Sequence, residues 1–311
     1  MTAQTVDNRA CALGEGPLWH PERSQLYWFD ILQNQLLTRS AAGPQTTTFD
    51  RTVSAAGWVD ENTLLIASDR GFLIHDLQTG QNTDLAPLEA DQPHTRSNDG
   101  RADPWGGFWI GTMGRKAEPK TGAIYRLYQG EVRKLRGRIT IPNAICFSPD
   151  GLYAYFTDTP TQIIHRQPLD QTHGWPKGDP VPLINLQNTP WIPDGAVTDA
   201  AGTIWNAQWG GFRVAAYAPD GTFLRAIQMP AAQTTCPAFG APWDGGRGAL
   251  PDRRRPDGQQ RPSRPSDLTT LYCTSAADGV TADHRKQHPS TGQTFALSNV
   301  AQGVREHQVI L

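Results

Sequence analysis

Long apolar runs are missing from this sequence. No stretch approaches the ~18 apolar residues that a membrane-spanning helix needs, which argues against a helical membrane protein. An excess of either charge is missing too. With 28 basic and 30 acidic residues the net charge is −2, so nothing electrostatic calls for nucleic acid or an anionic membrane as partner. Cysteine is scarce, and Cys11, Cys146, Cys236 and Cys273 stand far apart with no metal-type pair among them. Buried, reduced thiols are the expectation. The eight histidines are scattered and fall mostly in turns and polar segments, where surface or capping roles are the default. Ser148 lies in a Ser-Pro-Asp-Gly turn with no Gly-x-Ser-x-Gly around it, so a triad with His165 is excluded. The N-terminal MTAQTVDNRA lacks a basic and apolar leader, and a soluble, cytoplasmic protein is expected.

Turn residues, in contrast, are abundant. Gly 30 and Pro 25 make roughly 18% of the 311 residues against about 12% in an average protein, and ten tryptophans exclude general disorder. The stretch from Ile141 to Thr159, IPNAICFSPDGLYAYFTDT, shows how these parts are used. Two short apolar and aromatic runs flank a Pro-Asp-Gly turn, which is the pattern of a hairpin.

That pattern recurs. GEGPLWHPERSQLYWFDI (14–31), a degenerate copy from Ala56, SNDGRADPWGGFWIGTM (97–113) and PDGAVTDAAGTIWNAQWGG (193–211) repeat its order of parts. CPAFG (236–240) with LTTLYCTSA (268–276) repeats it again. Starts near Glu15, Ala56, Asn98, Asn143, Asp194 and Cys236 are spaced about 41 to 51 residues apart, with about four strand-sized pieces per unit. The expectation is an all-β, six-bladed β-propeller, its four-stranded antiparallel blades set around a central channel, with residues 1–311 forming one domain. EHQVIL (306–311) is expected as a final strand, and TFALSNV as the one before it, with strands from both termini completing one blade.

Repeat phase has a chemical consequence. Glu15, Asn98, Asn143 and Asp194 each open a unit, so residues about 45 apart can meet at one mouth of the channel. As turn formers they need no function, but four oxygen-bearing side chains in one phase, with no His or Cys among them, suit a hard divalent cation. Calcium, magnesium or manganese fits such a set, with positions left open for water and substrate.

GEGPLW, RSNDGRADPWGGFWIGTM, PNAICFSPDG with YFTDT, and PDGAVTDAAGTIWNAQWGG resemble the SMP-30/gluconolactonase/regucalcin family of six-bladed propellers across almost the whole chain. The resemblance implies a metal-dependent hydrolase that opens sugar-acid lactones. It implies that Glu15, Asn143 and Asp194 match metal ligands, that Asp194 also matches a general base, and that Arg96 and Asn98 match positions binding substrate hydroxyls and the ring oxygen. The implied cofactor is one divalent ion, calcium first, with zinc, manganese, magnesium or ferrous iron as alternatives. The implied partner is a small-molecule sugar lactone, with no nucleic acid and no membrane; self-association is left open and a monomer is compatible. Regucalcin members place an acidic substrate contact a few residues after GTM, where this chain has Arg115 and Lys116, with Glu118 slightly later. Two other functions compete: hydrolysis of other esters such as organophosphates, and a calcium-binding regulatory propeller without catalysis.

Trp191 and Trp209 flank the fifth unit's motifs, where a sugar face could stack on them or they could pack the rim. Trp19, Trp28, Trp58, Trp109 and Trp205 fall in strand patterns and are assigned to packing between blades. His94 lies just before Arg96, near the expected mouth. Residues at about 241–267 read APWDGGRGALPDRRRPDGQQRPSRPSD, low in apolar content and rich in Gly, Pro and Arg. This is expected to be a solvated insertion.

Overall fold

Runs such as LYWFDI and YAYFTD, rich in aromatic and branched side chains and closed by Gly, Asn or Asp turns, form strands. The computed structural model of the chain describes residues 2–40, 42–242 and 267–311. A short strand, β1 (Gln4–Asp7), comes first. The first blade is β2 (Gly14–His20), β3 (Gln25–Asp30), β4 (Gln35–Ser40) and β5 (Gly43–Thr48); the second is β6 (Val53–Asp60), β7 (Thr63–Ser68), β8 (Gly71–Asp76) and β9 (Asn82–Pro87). The third comprises β10 (Thr95–Ala102), β11 (Phe108–Gly114), β12 (Gly122–Tyr128) and β13 (Glu131–Ile139), and the fourth β14 (Pro142–Phe147), β15 (Tyr153–Asp158), β16 (Ile163–Pro168) and β17 (Val181–Asn185). The fifth runs β18 (Ile192–Thr198), β19 (Ile204–Trp209), β20 (Arg213–Tyr217) and β21 (Phe223–Gln228). In the sixth, β22 (Thr234–Gly240) pairs with β23 (Thr270–Ser275) and β23 with β24 (Thr294–Leu297), while β1 adds the outer strand. Every pairing is antiparallel.

Burial follows position in the blade. β2, β14 and β22 are buried along their whole length, whereas β5 and β21 are mostly exposed. The innermost strands β2, β6, β10, β14, β18 and β22 each touch the next and the last touches the first, so six sheets close a ring as the repeat predicts. The apolar core is accordingly divided into six clusters, each wedged between neighbouring blades. The tryptophans assigned to packing lie in these wedges: Trp19 stacks on Tyr272 at 5.5 Å between blades one and six, and Trp109 meets Phe147 edge-on at 5.5 Å between three and four. All four cysteines are buried and unpaired. His20 and His75 depart from the surface roles expected of them, being buried within their strands. No helix among the described residues is long and apolar enough to cross a membrane. Of the insertion expected at about 241–267, residues 243–266 lie outside the described residues.

The strand expected at 306–311 is overturned as well. TFAL does form β24, but Glu306–Leu311 is not a strand. The outer place in blade six is already taken by β1, so the C-terminal segment has no free edge there. It passes instead under the channel, at the ends of the inner strands away from Glu15. The Trp58 Nε1–H donates to Glu306 O at 2.9 Å, the Val309 N–H to Trp58 O at 2.9 Å and the Ile310 N–H to Gly106 O at 2.9 Å. Glu306 pairs with Arg101, both nearly buried, and the Arg101 Nη2 also donates to Pro237 O at 3.2 Å.

This geometry sets an expected outcome. Glu306→Ala leaves Arg101 buried without its carboxylate and is expected to cost about 3–5 kcal/mol, and a chain ending at Gly303 should melt lower still. Thermal melts check this; unchanged midpoints in both variants would remove the tail from the stable fold.

Candidate active site

All six innermost strands break register near the same end. The shifts fall between Glu15 and Leu18, Val53 and Ala55, Ser97 and Gly100, Asn143 and Cys146, Pro193 and Ala196, and Thr234 and Pro237. A bulge gives one strand an extra residue and re-aims its side chains. Here it is repeated six times around the mouth, in the phase expected from the sequence, except that the second unit's bulge is at Ser54, two residues before Ala56. Glycine makes two of the bulges feasible. Gly16 has φ +52, where a Cβ would lie 2.3 Å from Ser54 O, and a Cβ on Gly195 would lie 2.4 Å from the Cys236 Sγ.

The candidate residues meet at this mouth and are buried. Arg96 donates through Nη1 to Ser97 O and to Asn98 Oδ1, both at 2.8 Å. Asn98 donates through Nδ2 to Pro142 O at 3.0 Å and to Asn143 Oδ1 at 2.9 Å. Asn143 donates in turn to the Thr159 hydroxyl at 2.9 Å. Glu15 accepts from the Gly16 N–H at 3.0 Å. The backbone at Asp194 is held by Asn206, whose Nδ2 donates to Asp194 O at 2.9 Å and Gly195 O at 3.1 Å.

Electrostatics tie the carboxyls of blades one, three and five together. Burial, and then repulsion from Asp99, push Glu15 up to about 8. Asp194 is raised by burial, then by Glu15 and Asp99, and burial lifts Asp99 to about 6. The cation facing Glu15 is Arg96, whose own pKa burial lowers to about 10. Carboxyl groups therefore outnumber the one guanidinium in a dehydrated mouth and hold their protons against mutual repulsion, a repulsion that a divalent cation would relieve. The donor atoms fit such an ion, being two carboxylates and an amide oxygen. Among the described residues there is no group of three or more His, Cys, Asp or Glu side chains placed to hold a metal. Asp99 is engaged elsewhere, accepting the Ile145 N–H at 2.8 Å.

The rim residues are less uniform. Trp191 and Trp209 are both half-buried. Arg213 covers one face of Trp191, 3.5 Å from the ring centroid, so a stacking ligand could use only the other face. Glu118 sits over Gly114, at the end of β11 that pairs with Thr95. Its carboxylate accepts the Lys116 N–H at 3.0 Å, and backbone N–H groups hold it below the usual carboxylate range. The loop thus returns an acidic group to the mouth's edge, while Arg115 turns outward to pair with Asp69. His94 is exposed beside it. Ser148 and His165 lie away from this mouth: Ser148 Oγ donates to Asp150 within its turn, and His165 stacks on Phe156 at 5.5 Å.

Sequence reasoning passed over Asp99 and Thr159. The signal for Asp99 was its place beside Asn98 at the start of a unit; for Thr159, a hydroxyl directly after the strand paired with Asn143.

The family model for the SMP-30/gluconolactonase/LRE-like region matches residues 13–244. An L-arabinolactonase of Azospirillum brasilense is 33% identical over 293 residues, 91% of this chain and 87% of that protein. A 6-deoxy-6-sulfogluconolactonase of Pseudomonas putida is 30% identical over 298 residues, 95% of this chain and 94% of that one. A crystal structure of a calcium-binding regucalcin from Agrobacterium tumefaciens superposes with a TM-score of 0.90 at 37% identity, covering 100% of this chain and 98% of that one.

The raised carboxyls give the metal-free chain a defined pH response. Glu15 binds its proton up to about 8 when folded, against a reference value of 4.5. Its contribution to stability is therefore full below the reference value and lost as pH rises through about 8. Melting of the EDTA-treated chain should fall as pH is raised across that window, and Glu15→Gln should flatten the slope. A wild-type profile that is already flat would contradict the crowded-carboxyl geometry.

Proposed function

The chain belongs to the SMP-30/gluconolactonase/LRE-like family, and from that premise we propose that it is a lactonase, a metal-dependent hydrolase opening a sugar-acid lactone to the free aldonic acid. The observation that carries this reading is the mouth itself, where Glu15, Asn143 and Asp194 stand near the starts of the inner strands of blades one, four and five and buried carboxyl groups outnumber the guanidinium of Arg96. Relatives named as lactonases acting on arabinono- and sulfogluconolactone support the substrate class.

In this reading Glu15, Asn143 and Asp194 hold one divalent cation. Calcium is the first choice because every donor is oxygen, and the similar regucalcin is described as calcium-binding. Bound there, a divalent cation would polarise the lactone carbonyl and offset the repulsion that otherwise favours protonated Asp194. Asp194 takes a proton from the attacking water, whose hydroxyl joins the carbonyl carbon. Arg96, with both of its hydrogen bonds made through Nη1, keeps Nη2 and Nε for substrate oxygens and for the developing oxyanion. Asn98 sits beside it to bind a substrate hydroxyl. The ring oxygen then departs with the proton from Asp194, so no covalent enzyme intermediate forms. Glu118 and the open face of Trp191 supply rim contacts, with Trp209 beside them. The 311 residues act as one domain carrying the 241–267 insertion, in the cytoplasm, with no nucleic acid or membrane partner.

A guanidinium lodged beside the carboxylates would oppose a cation with a purely structural role, which favours catalysis over a regulatory calcium module. The deciding experiment is a pH-stat assay on glucono-, xylono- and arabinonolactone and on a phosphotriester, with EDTA and metal add-back. Lactone turnover that EDTA removes and metal restores is expected. Asp194→Asn should fold normally and lose about 10²- to 10⁴-fold in kcat. Full activity in Asp194→Asn would end its role as base, and turnover of the phosphotriester alone would replace the substrate class.

A further inference from the structure

We propose that Thr159 is the positioning residue that decides which atom of Asn143 faces the cation site. The inference rests on the reading of Glu15, Asn143 and Asp194 as the ligand set.

An asparagine amide has two unlike ends. Its oxygen can coordinate a cation, while its NH₂ group repels one, and a half-turn of the side chain exchanges them. Bookkeeping of donors fixes the outcome here. The Thr159 hydroxyl lies 2.9 Å from Pro193 O, and a carbonyl can only accept, so the hydroxyl hydrogen goes there. Toward Asn143 it has only lone pairs left, and the group it meets at 2.9 Å must be Nδ2. From the other side, Asn98 Nδ2 donates one hydrogen to Pro142 O and the other to Asn143 Oδ1. Asn98 Oδ1 accepts from Arg96. The network therefore runs one way, from a group that only donates, Arg96, to one that only accepts, the carbonyl before Asp194. Asn143 Oδ1 gives one lone pair to Asn98 and retains the second for a cation.

The molecule contains its own control. In blade one, β3 ends at Asp30, which accepts the N–H groups of Ala12 and Leu13; a single 3₁₀ turn, Ile31–Gln33, follows and closes at Asn34 with φ 55. In blade four, β15 ends at Asp158, which accepts those of Thr140 and Ile141; the turn Thr159–Thr161 follows and closes at Gln162 with φ 56. The two devices match, but the residue after the aspartate differs. Blade one has Ile31, buried in the wedge with blade two. Its candidate ligand, Glu15, has two equivalent oxygens and nothing to orient. Blade four supplies an amide, and there the apolar residue is replaced by a hydroxyl. Thr159 also ties Asn143 to the backbone carbonyl immediately before Asp194, coupling the ligands of two blades.

The test is calorimetric titration of metal-stripped protein with CaCl₂ and, separately, MnCl₂, with thermal melts of each metal-free variant. Thr159→Val keeps the shape and removes the hydroxyl. It should weaken metal binding about 10- to 100-fold while the metal-free melting point stays near wild type, and kcat should fall in step. Thr159→Ser should restore affinity; Thr159→Ala serves if valine disturbs folding. Wild-type affinity in Thr159→Val or Thr159→Ala, beside lost affinity in Asn143→Ala, would overturn the positioning role and leave the ligand set standing. Failure of serine to restore affinity would also overturn it. Undiminished affinity in both Asn143→Ala and Glu15→Gln would overturn the ligand set and this inference together.

Discussion

Glu15, Asp99 and Asp194 come from three blades, and each is kept in a dehydrated mouth where its neighbours' charge is unwelcome. No local segment could hold such groups together, since a flexible chain would separate them into water. The constraint that prevents it is ring closure. Six inner strands press side by side, each fixed by an apolar wedge against the next, and the bulges turn chosen side chains inward. Stability lost to repulsion at the mouth is supplied by aromatic packing further out in the blades.

How much of this could be read from residues alone depended on whether a feature was local. Turn chemistry such as Ser148-Pro-Asp-Gly151 and alternation such as YAYFTD are written in a few neighbouring residues, so the six units and their order were legible. Three unit starts were legible as well, because Glu15-Gly16, Asn98-Asp99-Gly100 and Asp194-Gly195 carry turn-forming residues, though the bulges they form were not foreseen. The second unit has Ser54-Ala55-Ala56 in that place, with no such mark, and its phase was misplaced by two residues. EHQVIL looked like a strand because local pattern cannot report whether an edge is available. That edge belongs to residues at the opposite end of the chain.

The site divides in the same way. Glu15, Asn143 and Asp194 could be singled out because they share a repeat phase. Asp99 and Thr159 could not, since the role of each is defined by a partner on another blade: the Ile145 N–H for Asp99, and Pro193 O for Thr159. A proton's direction along a hydrogen-bonded chain depends on what lies at both ends, and those ends are about a hundred residues apart here, at Arg96 and Pro193.

The pairing of β1 with β24 has a consequence for biosynthesis. Gln4–Asp7 precedes all five other blades in the chain, yet its neighbour, Thr294–Leu297, follows them all. Five blades can assemble from contiguous chain as it emerges, while β1 must wait unpaired until β24 has been made. Contacts this distant along the polymer are slow to form, so circularisation follows the assembly of blades one to five, and the carboxylates are confined together only once it has happened.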